Sequence, residues 1–139
     1  MVRVYTSGVF DLFHAGHLEA LQKARALGDY LLVGVVTDED AASYKRTPVI
    51  PYEQRCRILA SIDSVDEVIR GPLYPTEGFY QQWRIDIHCQ DADQQDFYVT
   101  AKRLGIVRFV GRSPAAETSA IIRRILTDYG SPDQRSAGI

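Results

Sequence analysis

The sequence has few cysteines, no long apolar run and no segment typical of export at its start. Its two cysteines among 139 residues, Cys56 and Cys89, show none of the spacings that metal sites use. We interpret them as packed thiols of a reducing compartment, which predicts a cytoplasmic protein. No stretch approaches the roughly 20 apolar residues of a membrane span. The first residues lack the apolar segment of a signal peptide, so we expect no membrane partner.

An excess of charge of one sign is also missing. The formal net charge is -2 at pH 7, so no overall basic field draws the chain to nucleic acid, and we expect no nucleic-acid partner. Hydrophobic residues make up 45% and charged residues 24%, as in an ordinary globular protein. Length and composition predict one domain over residues 1–129 and a flexible tail over 130–139.

Segments with strand and helix patterns alternate along the chain. Strands are predicted at 2–6, 30–36, 65–69, 85–89 and 107–110. Helices are predicted at 18–27, 52–62, 97–104 and 118–129, and the main loops at 38–51 and 71–76. This order predicts an α/β fold of three layers, with a parallel five-stranded sheet and helices on both faces. Ligands of such sheets bind beyond the carboxyl ends of the strands.

The most informative segment, residues 8–17, follows the first strand and opens the first helix. Gly8 permits a tight turn there, and Gly16 permits close approach of a ligand to the backbone. The unpaired N–H groups and the dipole of a helix start suit a phosphate. His14 and His17 are three residues apart, so both side chains can face one ligand.

Three interpretations of this histidine pair are open from the residues alone. In the first, the two histidines are ordinary polar residues that cap the helix. In the second they bind a metal ion, and in the third they bind a phosphate between them. No third His, Cys or carboxylate lies at a convincing spacing for a metal, so no metal-ligating residues are predicted. The Gly-x-Gly-x-x-Gly pattern of dinucleotide sites is also absent.

The segment His14-Ala15-Gly16-His17 resembles the His-x-Gly-His signature of the cytidylyltransferase branch of the nucleotidyltransferase superfamily. That branch includes glycerol-3-phosphate, phosphoethanolamine and phosphocholine cytidylyltransferases. The likeness covers nearly all of residues 1–126 and continues, in order, at Thr37-Asp38, Lys45-Arg46-Thr47-Pro48-Val49-Ile50, Glu53-x-Arg55 and Val65-Asp66-Glu67-Val68-Ile69. It implies a Rossmann-like fold and the transfer of CMP from CTP to a phosphorylated small alcohol or a phosphonate. A homodimer is expected on the same ground.

The resemblance also implies roles for particular residues. Those expected to be catalytic are His14 and His17 at the transferring phosphate, Lys45 closing over the phosphates, and Arg112 holding the triphosphate. Those expected to bind the nucleotide are Gly8, Val9, Phe10, Gly16, Arg55, Asp93, Thr118 and Ser119. Mg²⁺ is expected as the cofactor that bridges triphosphate oxygens. The attacking phosphate is already mostly ionised, since its second pKa is about 6, so positioning and charge stabilisation are needed rather than a base.

Alternatives remain for several of these residues. Lys45 is also interpretable as a solvated lysine, and Arg55 as a helix-surface arginine paired to Glu53 or Asp63. Glu117 stands where the family has a serine, either beside the triphosphate or as the start of a helix. Glu77 replaces a lysine of the glycerol-phosphate enzymes, which favours an amino alcohol phosphate or an aminophosphonate as acceptor.

Two rival functions follow from departures from the family pattern. The segments 90–93 and 115–117 match the family's nucleotide-contacting segments poorly. One rival is therefore an adenylyltransferase that uses ATP in place of CTP. The other is a degenerate relative that binds a nucleotide and regulates a partner. The intact His14, His17 and Lys45 favour an enzyme.

Overall fold

The computed structural model describes residues 1–91, 97–111 and 117–130. Its centre is a sheet of five strands, β1 Arg3–Gly8, β2 Tyr30–Val35, β3 Glu67–Arg70, β4 Ile87–Asp91 and β5 Val107–Val110. Every neighbouring pair is parallel, in the order β3-β2-β1-β4-β5. The predicted parallel five-stranded sheet is confirmed. The order reverses between β1 and β4, which makes their carboxyl ends the switch point where ligands bind in such sheets. Of the predicted tail, only Gly130 is among the described residues.

The described residues form six helices: α1 Ala15–Arg25, α2 Asp38–Tyr44, α3 Tyr52–Ala60, α4 Glu77–Gln82, α5 Val99–Leu104 and α6 Thr118–Tyr129. One buried cluster joins the sheet to α1 and α3, through Leu21 and Leu59. A second cluster on the opposite face joins it to α4 and α5, through Tyr80 and Ala101. The three-layer α/β arrangement is therefore confirmed. None of the described helices is both long and apolar enough to cross a membrane.

The strands are buried because their side chains alternate between the two helical layers. In β1, Val4 belongs to one cluster and Tyr5, its neighbour, to the other. Four of the six residues of β2 are fully buried apolar side chains, Leu31, Leu32, Val33 and Val35, as expected of a strand covered on both faces. The sheet needs a glycine at Gly34, because a Cβ there would collide with the hydroxyl of Tyr5.

Two short helices were not predicted. The loop predicted at 38–51 is wrong over Asp38–Tyr44, which is α2, and α4 lies in a segment to which no element was assigned. Each begins at a threonine whose Oγ1 accepts a main-chain N–H at 3.2 Å, Thr37 from Asp40 and Thr76 from Phe79. Helices of seven and six residues hold too few apolar positions to show a periodic pattern. Their threonine N-caps were therefore the sequence feature from which the two helices could have been predicted.

Candidate functional site

A cavity of about 250 Å³ lies at the switch point, beyond the carboxyl ends of β1 and β4. Its wall includes most of the residues to which a role was assigned from the sequence. Those in the wall are Gly8, Val9, Phe10, His14, Gly16, His17, Lys45, Thr118 and Ser119. Two others, Asp93 and Arg112, lie outside the described residues. Segments separated by as many as 111 residues thus meet around one space.

The loop between β1 and α1 is held in an unusual backbone conformation. Phe10 and Leu12 have φ angles of 55° and 50°, in the left-handed region that costs residues other than glycine about 1–3 kcal/mol each. Surrounding contacts hold the loop there. The carboxylate of Asp11, which is 4% exposed, accepts the N–H of Val49 at 2.8 Å and that of Ile50 at 2.9 Å. The first loop is therefore shaped before any ligand arrives.

His14 and His17 form a reciprocal cap at the start of α1. The N–H of Gly16 donates to Nδ1 of His14 at 3.0 Å, and the N–H of His14 donates to Nδ1 of His17 at 3.2 Å. The capping interpretation is thus confirmed, and it is compatible with a phosphate clamp. Because each Nδ1 accepts a hydrogen bond, the proton of each neutral ring is on Nε2. The cap leaves both imidazoles as donors through Nε2.

The surroundings keep both rings uncharged near neutral pH. Burial lowers the pKa of His14. Burial, followed by the charge of the neighbouring His14, lowers the pKa of His17 to about 4, and the nearby ammonium of Lys45 contributes in the same direction. The two rings are stacked, with centroids 3.8 Å apart. A phosphate in the cavity would therefore meet neutral imidazoles rather than imidazolium ions.

The first turn of α6 is tied to the first loop through Thr118. Oγ1 of Thr118 donates to the main-chain oxygen of Asp11 at 3.2 Å and lies 3.2 Å from Nε2 of His14. Since that hydroxyl proton is already used, the His14 ring donates through Nε2, in agreement with its cap. Glu117 occupies the N-cap position of α6 without a side-chain cap bond and also lines the cavity. Both interpretations of Glu117 are thus consistent with its place.

Lys45 ends α2 and lies in the cavity wall. Its main-chain N–H donates to the carbonyl of Ala41 at 3.0 Å, while its side chain is exposed enough to be solvated. The segment that follows it is the one tied to Asp11. The lysine therefore stands on a segment with one end in a helix and the other end fixed to the first loop.

Arg55 has a different environment from either of the two predicted for it. It is 1% exposed, so the surface-arginine alternative is wrong, and it does not line the cavity. Its guanidinium donates to the carbonyl oxygens of Val9, Val36 and Ile50 at 2.6, 2.8 and 2.8 Å and to the Asp38 carboxylate at 2.7 Å. These contacts are those of a residue that shapes the cavity wall from behind.

A buried polar network beneath the cavity was missed from the sequence. Oγ of Ser7 lies 3.2 Å from the hydroxyl of Tyr98, and the amide of Gln90 donates to the Ser7 carbonyl at 3.0 Å. His88, fully buried, lies 3.2 Å from Gln90 Oε1 through Nε2 and 2.7 Å from the Tyr80 hydroxyl through Nδ1. Burial lowers the pKa of His88 to about 4. The sequence feature that could have indicated this network is the pair His88 and Gln90, two polar residues that lie two positions apart in a buried strand.

Metal-ligating side chains do not converge in the described part of the chain. No group of three His, Cys, Asp or Glu residues there could hold a metal ion. The carboxylates that line the cavity are Asp11, Asp91 and Glu117, and the first of these is bound to main-chain N–H groups.

Comparison with known proteins gives consistent matches. A family model described as cytidylyltransferase-like matches residues 5–123. The ethanolamine-phosphate cytidylyltransferase of Arabidopsis thaliana is 40% identical over 136 residues, covering 90% of this chain and 32% of that protein. The choline-phosphate cytidylyltransferase A of Homo sapiens is 38% identical over 137 residues, covering 92% of this chain and 37% of that protein. The chain thus spans about a third of the length of these relatives.

A solved structure is also similar. The crystal structure of the lipopolysaccharide core biosynthesis protein from Thermoplasma volcanium GSS1 superposes with a TM-score of 0.66 at 27% identity. The superposition covers 84% of this chain and 99% of that chain.

Proposed function

The chain belongs to the cytidylyltransferase-like family, and from this premise we propose that it transfers CMP from CTP to the phosphate of a small alcohol or to a phosphonate. One observation carries the proposal. His14 and His17 are fixed by a reciprocal cap and line the same cavity as Lys45. An acceptor oxygen attacks the α-phosphorus of CTP, the bond from that phosphorus to the bridging oxygen breaks, and pyrophosphate leaves.

The two imidazoles suit this reaction as neutral donors. The acceptor phosphate is largely ionised at pH 7, because its second pKa is about 6, so neither ring has to remove a proton. Negative charge spreads over the oxygens of the α-phosphoryl group as the bond to pyrophosphate lengthens. Donors already fixed in place stabilise that charge without reorganising. The cap fixes both rings through Nδ1 and places their N–H groups on Nε2. Nε2 of His14 lies 3.2 Å from Thr118 Oγ1, so the His14 donor would be shared between that hydroxyl and the phosphoryl group.

The remaining charge of the triphosphate is met by Lys45 and by main-chain groups. Lys45 supplies a compact positive charge from the end of α2. The free N–H groups at the start of α6, near Thr118 and Ser119, suit phosphate oxygens. Mg²⁺ is proposed as the cofactor carried by the triphosphate, because oxygen ligands from phosphates are those it ordinarily takes. A catalytic role for Arg112 and a nucleotide-binding role for Asp93 are proposed from the resemblance alone.

The proposal is tested by measuring pyrophosphate release from CTP and Mg²⁺ with a panel of acceptors. The panel contains phosphoethanolamine, phosphocholine, glycerol 3-phosphate and 2-aminoethylphosphonate, since the names of two relatives carry the first two compounds. We expect release with CTP and one of these acceptors, and its loss on chelation of Mg²⁺. Release with ATP instead would identify an adenylyltransferase. Silence across the panel with both nucleotides would contradict an enzyme of this type and favour a regulatory nucleotide binder.

The homodimer and the cytoplasmic location expected from the sequence stay predictions. Light scattering after size-exclusion chromatography gives the mass in solution, against 15.6 kDa for one chain. A mass of one chain at micromolar concentration would contradict the dimer.

A further inference from the structure

Arg46, the residue after Lys45, was given no role from the sequence, yet it lines the cavity. Its Nε is buried and has no hydrogen-bond partner among residues 1–91, 97–111 and 117–130. Within the described ranges, no hydrogen bond or ion pair joins its side chain to another residue. The guanidinium is a cation, so the cavity wall contains a buried, positively charged donor for which the described residues supply no partner.

A buried donor without a partner lowers the stability of the folded state, so its presence in a cavity wall suggests that a ligand pairs with it. Leaving a buried donor unpaired forfeits the full desolvation free energy of that group, and native structures contain few of them. In the part of the chain that the structure describes, three buried side-chain atoms are in this state, Tyr5 Oη, Arg46 Nε and Ser64 Oγ. Only Arg46 is among the residues of the cavity wall. The unpaired donor and the space for a ligand thus coincide at one residue.

The backbone around Arg46 is fixed on both sides. Lys45 terminates α2, and Pro48, two residues after Arg46, is buried. Beyond it, Val49 and Ile50 are bound to Asp11. A short segment anchored at both ends limits the directions available to the Arg46 side chain, which favours a place built for binding over a freely moving surface arginine.

We propose that Arg46 binds phosphate oxygens of the ligand, donating Nε–H and a terminal N–H in a fork. The planar guanidinium matches two oxygens of one phosphate, whereas the ammonium of Lys45 acts as a point charge. This inference rests on the proposed function in taking the ligand to carry phosphate. The bound phosphate can come from two sources, the triphosphate of the nucleotide or the acceptor.

The test compares Arg46→Met with Arg46→Lys and with Arg57→Met. Methionine keeps an apolar stem and removes every donor, and lysine keeps the charge without the fork. Arg57 is exposed on α3 and outside the cavity wall, so Arg57→Met controls for the loss of one positive charge. Calorimetric titration gives the Kd of each variant for four probes, CTP with Mg²⁺, pyrophosphate, phosphoethanolamine and inorganic phosphate.

We expect Arg46→Met to raise the Kd for at least one probe on the order of 10- to 100-fold, the range of a charge-assisted hydrogen bond. The Kd of Arg46→Lys should lie between those of Arg46→Met and the wild type, and the Kd of Arg57→Met should equal that of the wild type. Weaker binding of CTP and pyrophosphate assigns Arg46 to the triphosphate. Weaker binding of phosphoethanolamine and inorganic phosphate alone assigns it to the acceptor.

A second readout separates binding from a structural role. Without ligand, Arg46→Met should unfold at or above the wild-type midpoint, because it removes a buried donor that has no partner. Equal Kd values for every probe in Arg46→Met and the wild type would overturn the proposal, and a lower unfolding midpoint of the variant would then assign Arg46 a structural role. Failure of both proteins to bind any probe would overturn it as well. Failure of the proposed function is recognised by a different result, because the wild-type protein itself then releases no pyrophosphate in the assay with CTP and the acceptor panel.

Discussion

The guanidinium of Arg55 donates to the carbonyl oxygen of Val9 at 2.6 Å, from a position where Arg55 is 1% exposed. Through the same group, Arg55 also binds the carbonyl of Val36, just after β2, and that of Ile50, in the segment after Lys45. Three separate segments around the cavity therefore share one buried cation. Arg55 assembles the walls of the site without lining it.

Replacing Arg55 by lysine should show how much of the site depends on that arrangement. Lysine has three donors on one nitrogen and lacks the planar fork, so at least one of the bound carbonyls would lose its partner. We expect the free energy of unfolding to fall by about 1–3 kcal/mol. Urea denaturation followed by circular dichroism measures this. Arg57→Lys, on the exposed side of the same helix, is the control, and equal midpoints in both variants would contradict the assigned role.

Asp11 links the first loop to the segment after Lys45, and Asp11→Asn tests that link. An asparagine offers one oxygen where the carboxylate offers two, so either Val49 or Ile50 would face an NH₂ group instead of an acceptor. We expect a loss of about 1–3 kcal/mol in stability and a lower kcat, because the lysine segment is no longer held. Asp29, whose carboxylate accepts the exposed N–H of Val2 at 2.7 Å, provides the control. Its variant Asp29→Asn should keep the wild-type kcat.

His14 has two functions that one pair of substitutions can separate. Asparagine is a good N-cap and can accept the N–H of Gly16, whereas alanine cannot, so His14→Ala should lose about 0.5–2 kcal/mol of stability that His14→Asn keeps. Both variants lack the Nε2 donor. We expect kcat to fall roughly 10²–10³-fold in each, by analogy with the loss of one oxyanion donor. Wild-type turnover in a stable His14→Asn protein would leave His14 as a cap alone.

His17 can be tested in the same assay. Its Nδ1 accepts the N–H of His14 and its ring lies in the cavity wall. His17→Asn should likewise reduce kcat roughly 10²–10³-fold. A variant with less than threefold loss would show that the second imidazole does not stabilise the reacting phosphate.

Much of the fold was predictable because it follows from local patterns. The apolar run of β2 was assigned within one residue of its bounds in the structure, because a strand buried on two faces has a continuous apolar composition. The bounds of α6 were also predicted, from the helical spacing of its apolar residues. From their spacing alone the first-loop histidines could face one ligand, and they share a cavity in the structure.

The parts that were missed depend on tertiary contacts. Arg55 reads in sequence as a surface arginine of a helix, and only the approach of Val9 and Ile50 shows why it is buried. Arg46 carries no pattern at all, because its lack of a partner is a property of the folded surroundings. Helix α2 was hidden by its length, although the threonine that caps it is present in the sequence.

The buried His88 makes stability depend on pH. Burial lowers its pKa from 6.5 to about 4. Between pH 6.5 and pH 4, His88 is therefore mostly protonated in the unfolded chain and mostly neutral in the folded chain. Its contribution to stability is complete above pH 6.5 and is lost as the pH falls toward 4. By linkage, the loss attributable to His88 between pH 7 and pH 5 is about 2 kcal/mol.

His88→Gln should reduce this dependence, since glutamine does not titrate. The measured quantity is the difference in unfolding free energy between pH 7 and pH 5 within each protein, from urea denaturation, so a general loss of stability in the variant cancels. The variant should retain the part of the slope due to His17, whose pKa is also lowered to about 4 by burial. An unchanged difference in His88→Gln would mean that His88 is protonated in the folded chain. In that case the network from Tyr80 to Gln90 would have to hold a charge, because the Tyr80 hydroxyl would then accept from Nδ1 rather than donate to it.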